Sequence, residues 1–384
     1  MDAIKTKLKI LFISRAYPPV TGGIENQNYE LSVWLSKAVE VKTIANRHGR
    51  KFLPIFAPYA LLSALFKMHA YDAVLLGDGN LAIVGWFIKI FSNKPVICVI
   101  HGLDINYGSS SLGVWYEKFL IFFHQTLWVG FFIKKLDKFV AVGNETVRVA
   151  KEKGIAPEKI VFIPNGVDTD KFYRPAERRE LEKFLGENLT GKKVILTSGR
   201  LAKRKGAAWF ITEVMPKLEK NIIYVVAGDG PDKENIKTVI KKSGLSLRIK
   251  MLGYIKDADR DLLFNTCDAF VQPNIKVEGD MEGFGISVIE AASCKIPVIA
   301  ADLEGLKDAI KDGQNGFLVQ SENAKAWVNK INEILADDNF RCEFGEKARQ
   351  YVRDNYSWEK ISRRYLEEIE SVISKSKVQM PNQV

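Results

Sequence analysis

The chain has 384 residues, 47% hydrophobic and 27% charged, values that exclude a disordered, collagenous or coiled-coil protein. That length exceeds one comfortable core, so two domains are expected; no run of about 18 uncharged apolar residues appears, which excludes a polytopic membrane protein. The 56 Lys and Arg against 46 Asp and Glu give a formal charge of +10, which points to an anionic partner: nucleic acid, anionic lipid or a phosphorylated small molecule.

The basic excess is denser early, with 20 basic and 14 acidic residues in 1–170. Ile10–Ile13 is too short for a signal-peptide core and reads as a buried strand. Leu8–Ser14 is that strand, followed by Arg15–Pro19, Gly22-Gly23 and a helical pattern with Ile24, Leu31, Trp34, Leu35 and Ala38 on one face. Further strands are predicted at Val39–Ala45, Ala73–Leu76, Pro95–Ile100, Phe139–Val142 and Ile160–Ile163, most of them separated by helical stretches. Arg174–Thr190 is polar, carries no strand pattern and is the expected linker. Alternation then resumes, with strands at Val194–Ser198, Ile222–Ala227, Leu247–Leu252, Ala269–Gln272, Pro297–Ala300 and Phe317–Val319. Helices are predicted near Gly206–Glu219, Asp232–Lys242, Asp257–Asn265, Ile286–Ser293, Asn323–Ala336, Phe340–Asn355 and Trp358–Ser374, with a frayed tail from Lys375. Such alternation means βαβ units and parallel sheets. The expected fold class is α/β, two doubly wound Rossmann-like domains with strand C-terminal ends around a shared cleft.

Cys98, Cys267, Cys294 and Cys342 are scattered, without a CxxC pair or a His at metal-ligand spacing, which suits a reducing cytoplasm. No GxGxxG follows a strand. Gly186–Lys193 mimics a phosphate loop but ends in Lys where a hydroxyl is needed and precedes a strand, so it is rejected. Gly22-Gly23 opens a helix and lets backbone approach a phosphate or sugar, though a tight turn would also need glycine. His101 stands at a strand's C-terminal edge, where it can donate to a ligand or move a proton; the alternative is a core histidine bonded to Asp104.

In Ser198–Gly206, Arg200 and Lys205 flank a cationic loop between a strand and a helix, as a diphosphate clamp would need; a solvated basic turn has the same composition. Asp280–Glu290 is the most informative segment. Gly283 and Gly285 break any helix there, so Glu282 lies on a loop before a helix and Glu290 just over one turn inside it. Amides near Phe284–Ile286 can bind phosphate or sugar oxygens, and a carboxylate can accept two hydroxyls. Glu282 could instead complement the helix dipole, and the two acids could be a glycosidase pair. Asp168-Thr169-Asp170 and Asp257-Ala258-Asp259 are DxD strings without further acids arranged as metal ligands. Leu112–Leu136 is rich in aromatic residues, among them Trp115, Phe119, Phe122, Phe123, Trp128, Phe131 and Phe132, followed by Lys134, Lys135 and Lys138; it suits a membrane-surface helix or one packed on the first sheet.

Together these segments resemble glycosyltransferase family 4, the retaining family of GT-B fold. Tyr17–Val20 with Gly22-Gly23-Ile24-Glu25 is similar to its first loop, and Asn165-Gly166-Val167-Asp168 to its interdomain segment. Ser198-Gly199-Arg200-Leu201 with Lys205-Gly206, and Ala227–Pro231, resemble its donor-domain signatures; Glu282 and Glu290 match its E-x7-E motif, and Tyr356-Ser357-Trp358 its usual ending. Gly143-Asn144 departs from the Ser the family often has after that strand, and Glu278 and Asp280 add acid near Glu282.

The resemblance implies an acceptor domain at 1–173 with a crossing helix from about 358 to 384, a linker at 174–190 and a nucleotide-sugar donor domain at 191–357. Arg200 and Lys205 would hold the diphosphate, with Gly22 and Gly23 near it; Glu290 would hold the ribose; and Tyr254 and Ile255 would lie near the base. Glu282 and the backbone of Phe284, Gly285 and Ile286 would hold the transferred sugar, faced by His101. The implied enzyme is a hexosyltransferase that uses no cofactor and no metal; the alternatives are a GT-B-like nucleotide-sugar epimerase and a non-catalytic sugar-nucleotide-binding subunit. The transferase's partners are a nucleotide-sugar donor, a lipid-linked or saccharide acceptor and an anionic membrane at the cytoplasmic face. No base-reading element supports nucleic acid.

Overall fold

The computed structural model describes residues 8–20, 22–102, 104–105 and 124–378. Trp115, Phe119, Phe122 and Phe123 of the aromatic segment and residues 379–384 of the tail lie outside them. The chain divides into two units, Met1–Gly166 with Trp358–Val384, and Val167–Ser357.

The first unit runs β1 (Lys9–Ser14), α1 (Gly23–Ser36), β2 (Glu40–Ala45), α2 (Leu53–Lys67), β3 (Ala73–Leu76), α3 (Ala82–Ser92), β4 (Val96–Ile100), a π-helical α4 (His124–Phe132), β5 (Lys138–Ala141), α5 (Asn144–Glu152) and β6 (Ile160–Phe162). Its strands form one parallel sheet in the order β2-β1-β3-β4-β5-β6. Ile10–Ile13, Val74–Leu76 and Val96–Ile100 are wholly buried, as expected for parallel strands covered on both faces.

The second unit runs α6 (Arg178–Leu185), β7 (Lys193–Ser198), α7 (Ala207–Glu213), β8 (Ile222–Ala227), α8 (Lys233–Ser243), β9 (Ile249–Gly253), α9 (Asp257–Thr266), β10 (Ala269–Gln272), α10 (Ile286–Ser293), β11 (Val298–Ala301), α11 (Leu306–Ala309), β12 (Phe317–Val319), α12 (Ala324–Ala336) and α13 (Asp338–Tyr356). Its sheet is also parallel, in the order β12-β11-β10-β7-β8-β9. The last helix, α14 (Trp358–Val378), packs on α1 in the first unit.

Strand order fixes where a ligand can enter. In each sheet the chain winds outward one way and then returns to wind the other, so one gap between strand ends is flanked by loops leaving in opposite directions. That gap lies between β1 and β3 in the first sheet and between β7 and β10 in the second.

The expected linker needs correction. Val167–Tyr173 already belongs to the second unit, where Arg349 donates to the Thr169 carbonyl at 2.8 Å and Asn265 to that of Phe172 at 2.8 Å. Residues 178–185 form α6, opened by a capping box of Glu177 and Glu180, with Leu181 buried. Arg178 pairs with Asp268 at 3.0 Å and donates to the Lys192 carbonyl at 3.0 Å. The charges that made this segment read as linker are its caps and ties. Arg178→Ala should therefore lower the urea midpoint, at a cost of about 1–3 kcal/mol, whereas a true linker residue would leave it unchanged.

Two smaller differences have local causes. The helix expected over Gly206–Glu219 stops at Glu213, because Pro216 cannot continue it; a tighter turn at Met215–Lys217 follows. One window, Leu53–Ala70, is long and apolar enough by length and composition to cross a membrane, although no uncharged run of that length exists. Lys67 and His69 interrupt its end.

Candidate functional site

The loops after β7 and β10 meet at the second sheet's switch point. Gly206 holds them together: its φ is +69°, and a Cβ there would stand 1.8 Å from the Pro273 carbonyl oxygen. Beside it the Ile275 amide donates to the Arg204 carbonyl at 2.9 Å. This register delivers Lys205, on the β7 loop, to Glu282, on the β10 loop, with Nζ 2.5 Å from Oε2. Arg204 reaches the same oxygen and also donates to Asp280 at 2.9 Å. Asn274 Nδ2 adds a third donor at 3.1 Å.

All three donors converge on Oε2, and among the described residues none serves Oε1. Burial raises the Glu282 pKa, but Lys205 and Arg204 outweigh it and hold the carboxyl down at about 2. Burial also holds the Lys205 ammonium below the ordinary lysine value, with Glu282 offsetting part of that. Glu282 is further fixed through its backbone. Its N–H donates to Glu304 Oε2 at 2.7 Å, and its carbonyl accepts from Gly305 at 3.1 Å.

Behind this cluster runs a buried polar chain. Ser287 donates to Gln272 Oε1 at 3.3 Å, and Gln272 Nε2 to Asn274 Oδ1 at 2.6 Å. Gly285 takes φ +90° as the N-cap of α10, and a Cβ there would meet Leu306 at 2.6 Å. Among the described residues, the N–H groups of Phe284, Gly285, Ile286 and Ser287 donate to nothing. Phe284 itself is buried edge-to-face on Tyr356, 5.8 Å between centroids, so only its backbone can serve a ligand.

Glu290 is half-buried on α10. Burial raises its pKa, with Arg260 and Lys171 opposing, and no donor among the described residues hydrogen-bonds its carboxylate. Arg200 is exposed on the β7 loop, its guanidinium unbonded among the described residues. Tyr254 is exposed and Ile255 half-buried just after β9. Arg204, between Arg200 and Lys205 in the loop, bonds Glu282 directly, a contact that position along the loop does not reveal. Asn274, Gln272 and Glu304 carried no local signal, since each matters only through contacts across the fold.

The first sheet's switch point is built on the same plan. Arg15, after β1, pairs with buried Asp78, after β3, at 2.7 Å. His101 follows β4 and is buried; its Nε2 lies 3.0 Å from the Gly77 carbonyl, which can only accept, so that nitrogen carries the proton. Asp104 receives the His101 backbone N–H at 3.0 Å and that of Gly79 at 2.8 Å. Asp104 thus bonds the backbone and not the imidazole. Gly22 is the N-cap of α1 and Gly23 its first residue; a Cβ at Gly22 would lie 2.1 Å from Glu25 Oε2, so this helix start already faces a carboxylate.

The DxD strings are structural. Asp168 accepts the amides of Asp170 and Lys171, and Asp257 and Asp259 stand in the first turn of α9. Among the described residues no three His, Cys, Asp or Glu side chains are grouped to hold a metal ion.

Comparison with known proteins places this geometry. Residues 178–351 match the model of Glycosyl transferases group 1, and residues 21–171 that of Glycosyltransferase Family 4. The GDP-mannose-dependent alpha-(1-6)-phosphatidylinositol monomannoside mannosyltransferase of Mycolicibacterium smegmatis is 27% identical over 91% of this chain and 95% of its own. The UDP-Gal:alpha-D-GlcNAc-diphosphoundecaprenol alpha-1,3-galactosyltransferase of Escherichia coli is 26% identical over 72% of this chain and 69% of its own. Among solved structures, Anabaena Alr3699/HepE in complex with UDP-glucose superposes with a TM-score of 0.74, at 20% identity, over 95% of this chain and 100% of that one, a likeness of fold. The two family models between them cover most of the chain, on two parallel-sheet Rossmann-like units of GT-B type: this protein is a glycosyltransferase of family 4.

Proposed function

We propose that the chain transfers a sugar from a nucleoside-diphosphate sugar to a lipid-linked or saccharide acceptor with retention of anomeric configuration, in cell-surface polysaccharide or glycolipid synthesis. One observation carries the reading: Lys205 and Glu282 meet at the switch point beside four amides at the start of α10 that are unbonded among the described residues. The names of the relatives, which specify GDP-mannose or UDP-Gal donors and lipid-linked acceptors, support it.

Breaking the donor's glycosidic bond leaves extra negative charge on the departing diphosphate. Cations and amide dipoles fixed in place stabilise that charge most in the transition state. The Lys205 ammonium has three N–H donors, so one can stay on Glu282 while another serves a phosphate oxygen. Arg200, its fork unbonded among the described residues, is the second clamp. Glu282, held ionised, is a weak base and has no proton to give at neutral pH. Its role is to accept sugar hydroxyls at Oε1 and to orient Lys205. Glu290 accepts the ribose hydroxyls, and Tyr254 and Ile255 flank the base. His101 is the candidate polar residue of the first unit, its Nε2 committed to the Gly77 carbonyl. Arg and Lys supply the counter-charge in place of a metal ion. The enzyme works in the cytoplasm, and the basic excess of residues 1–170 supports peripheral contact with anionic lipid.

A thermal-shift screen of nucleotide sugars tests this directly. The correct donor should raise apparent stability by ~2.7 kcal/mol at a hundredfold excess over its dissociation constant, with or without EDTA, and Arg200→Ala should weaken that response. A donor response and transfer rate that both vanish with EDTA would overturn the metal-independent reading, and an unaltered Arg200→Ala variant would remove Arg200 from the clamp.

A further inference from the structure

The outer face of α2 has no partner among the described residues. Ile55, Tyr59, Leu62 and Phe66 are 69%, 58%, 57% and 85% exposed, and Phe52 just before the helix is 45% exposed. At about 100° per residue these five fall within an arc of about 80°. The opposite side of α2, at Phe56, Ala60 and Ala64, is buried. The apolar surface continues onto neighbouring elements. α2 packs on α3, where Ile90 and Phe91 are exposed. Trp86 of α3 lies edge-on to Phe131 of α4, 5.8 Å between centroids, and Leu127 and Phe131 are exposed in turn. An exposed apolar stripe of this kind, with further exposed apolar residues on the helices beside it, marks an interaction site.

Charge decides what covers it. No Asp or Glu occurs between Glu40 and Asp72, none between Asp78 and Asp104, and none in α4. Exposed Lys51 and Lys67 stand at the two ends of α2, and exposed Lys134 and Lys135 follow α4, the latter 5.4 Å over the Phe131 ring. Lys89 is already neutralised by Asp137. A second copy docked by two-fold symmetry would set these lysine rims against each other. An anionic bilayer complements both features, with apolar side chains entering the acyl boundary and lysines reaching the headgroups. The helix lies on the bilayer rather than across it. Fifteen residues span about 22 Å, against a hydrocarbon core of about 30 Å, and its other face is committed to the unit.

We infer that the exposed face of α2, continued by α3 and α4, docks the enzyme on a membrane surface bearing anionic lipid. This rests on the membrane-peripheral reading above and assigns it to particular residues. It places the surface mainly on α2, continued from the aromatic segment by Leu127 and Phe131 of α4.

The test is co-sedimentation of the full chain with phosphatidylcholine vesicles, with and without phosphatidylglycerol, over a salt series. The wild type should bind only the anionic vesicles, and less tightly as salt rises. Leu62→Glu with Phe66→Glu should lower the partition coefficient at least tenfold, roughly the loss of one buried apolar side chain. Lys51→Gln with Lys67→Gln should lower it roughly fivefold per charge and flatten the salt dependence. Unchanged partition of the Leu62/Phe66 variant would overturn the inference. So would a dimer in sedimentation velocity that this variant breaks, without vesicle binding by the wild type. Transfer to a soluble saccharide acceptor separates the two readings. Stripe-dependent vesicle binding by a chain that refuses every lipid-linked acceptor would sink the acceptor assignment and leave the docking face standing.

Discussion

Lys205→Met is expected to lower kcat by about 10²–10³-fold at saturating substrates while the chain remains folded. Activity and stability should separate because of how the ion cluster is shared. Glu282 keeps two donors when Lys205 is lost, Arg204 and Asn274, so no bare carboxylate is left in the interior. Methionine also fills the lysine's space without the cost of burying an ammonium, so stability should fall by no more than about 1–2 kcal/mol. The departing diphosphate has no such reserve, since its charge develops only as the bond breaks. Lys205→Arg should not restore the rate, because a planar fork cannot keep one donor on Glu282 and turn another to phosphate in the same buried space. Steady-state kinetics beside a urea melt would read both quantities. A Lys205→Met enzyme that turns over normally would remove this residue from the leaving-group clamp, and one that loses activity only in proportion to its folded fraction would make Lys205 purely structural.

Much of the fold was legible because parallel strands buried on both faces are continuous apolar runs. Ala73–Leu76, Ile222–Ala227, Ala269–Gln272 and Phe317–Val319 stand where the pattern put them. The second unit's chemistry was partly legible because its residues lie in two short strings, one after β7 and one after β10. What failed shares one cause, polar residues in structural service. The charges of Arg174–Thr190 hid α6. The buried face of α1 includes Gln27, Asn28 and Ser32, so its apolar periodicity understated it; Asn28 donates to Ser14 Oγ at 2.9 Å and Ser32 bonds Tyr17 at 2.8 Å. Arg204 and Asn274 gain meaning only when strand order brings β7 beside β10, a long-range fact with no local signature. The α2 stripe is hidden in the opposite sense, since apolar spacing alone does not say whether anything covers it.

The same topology accounts for a parallel between the units. Each switch point is bridged by buried or nearly buried ion pairs, Arg15–Asp78 after β1 and β3, and Lys205–Glu282 with Arg204–Glu282 and Arg204–Asp280 after β7 and β10. Loops that leave a sheet in opposite directions expose strand-end backbone between them, and a charged tie fixes their spacing while leaving polar groups for a ligand. In the second unit that remainder is Glu282 Oε1, the Glu290 carboxylate and the amides of Phe284–Ser287.

Glu282→Gln is expected to cost more stability than any change at Lys205, about 3 kcal/mol or more, because it leaves the buried Lys205 ammonium with no anion while Arg204 keeps Asp280. The pH dependence identifies the cause. The Glu282 carboxyl titrates near its ordinary value of 4.5 in the unfolded chain and at about 2 in the folded one. A pKa depressed on folding gives stability that is fully present above about 4.5 and is lost as pH falls toward about 2. That difference corresponds to about 3 kcal/mol, the same order as the cost of the substitution. Wild type and Glu282→Gln should therefore differ most at neutral pH, and their urea midpoints should draw together as pH falls from about 4.5 toward 2. Parallel curves through that window would mean that the carboxylate's charge contributes nothing and that glutamine fails through shape alone. Transfer by Glu282→Gln, measured where the variant is fully folded, should still fall by about 10²-fold, since an amide does not orient Lys205 by charge and, with its oxygen turned to the donors of Arg204, Lys205 and Asn274, sets an NH2 donor where Glu282 Oε1 would accept sugar hydroxyls. A variant that is destabilised yet fully active when folded would confine Glu282 to holding the two loops together.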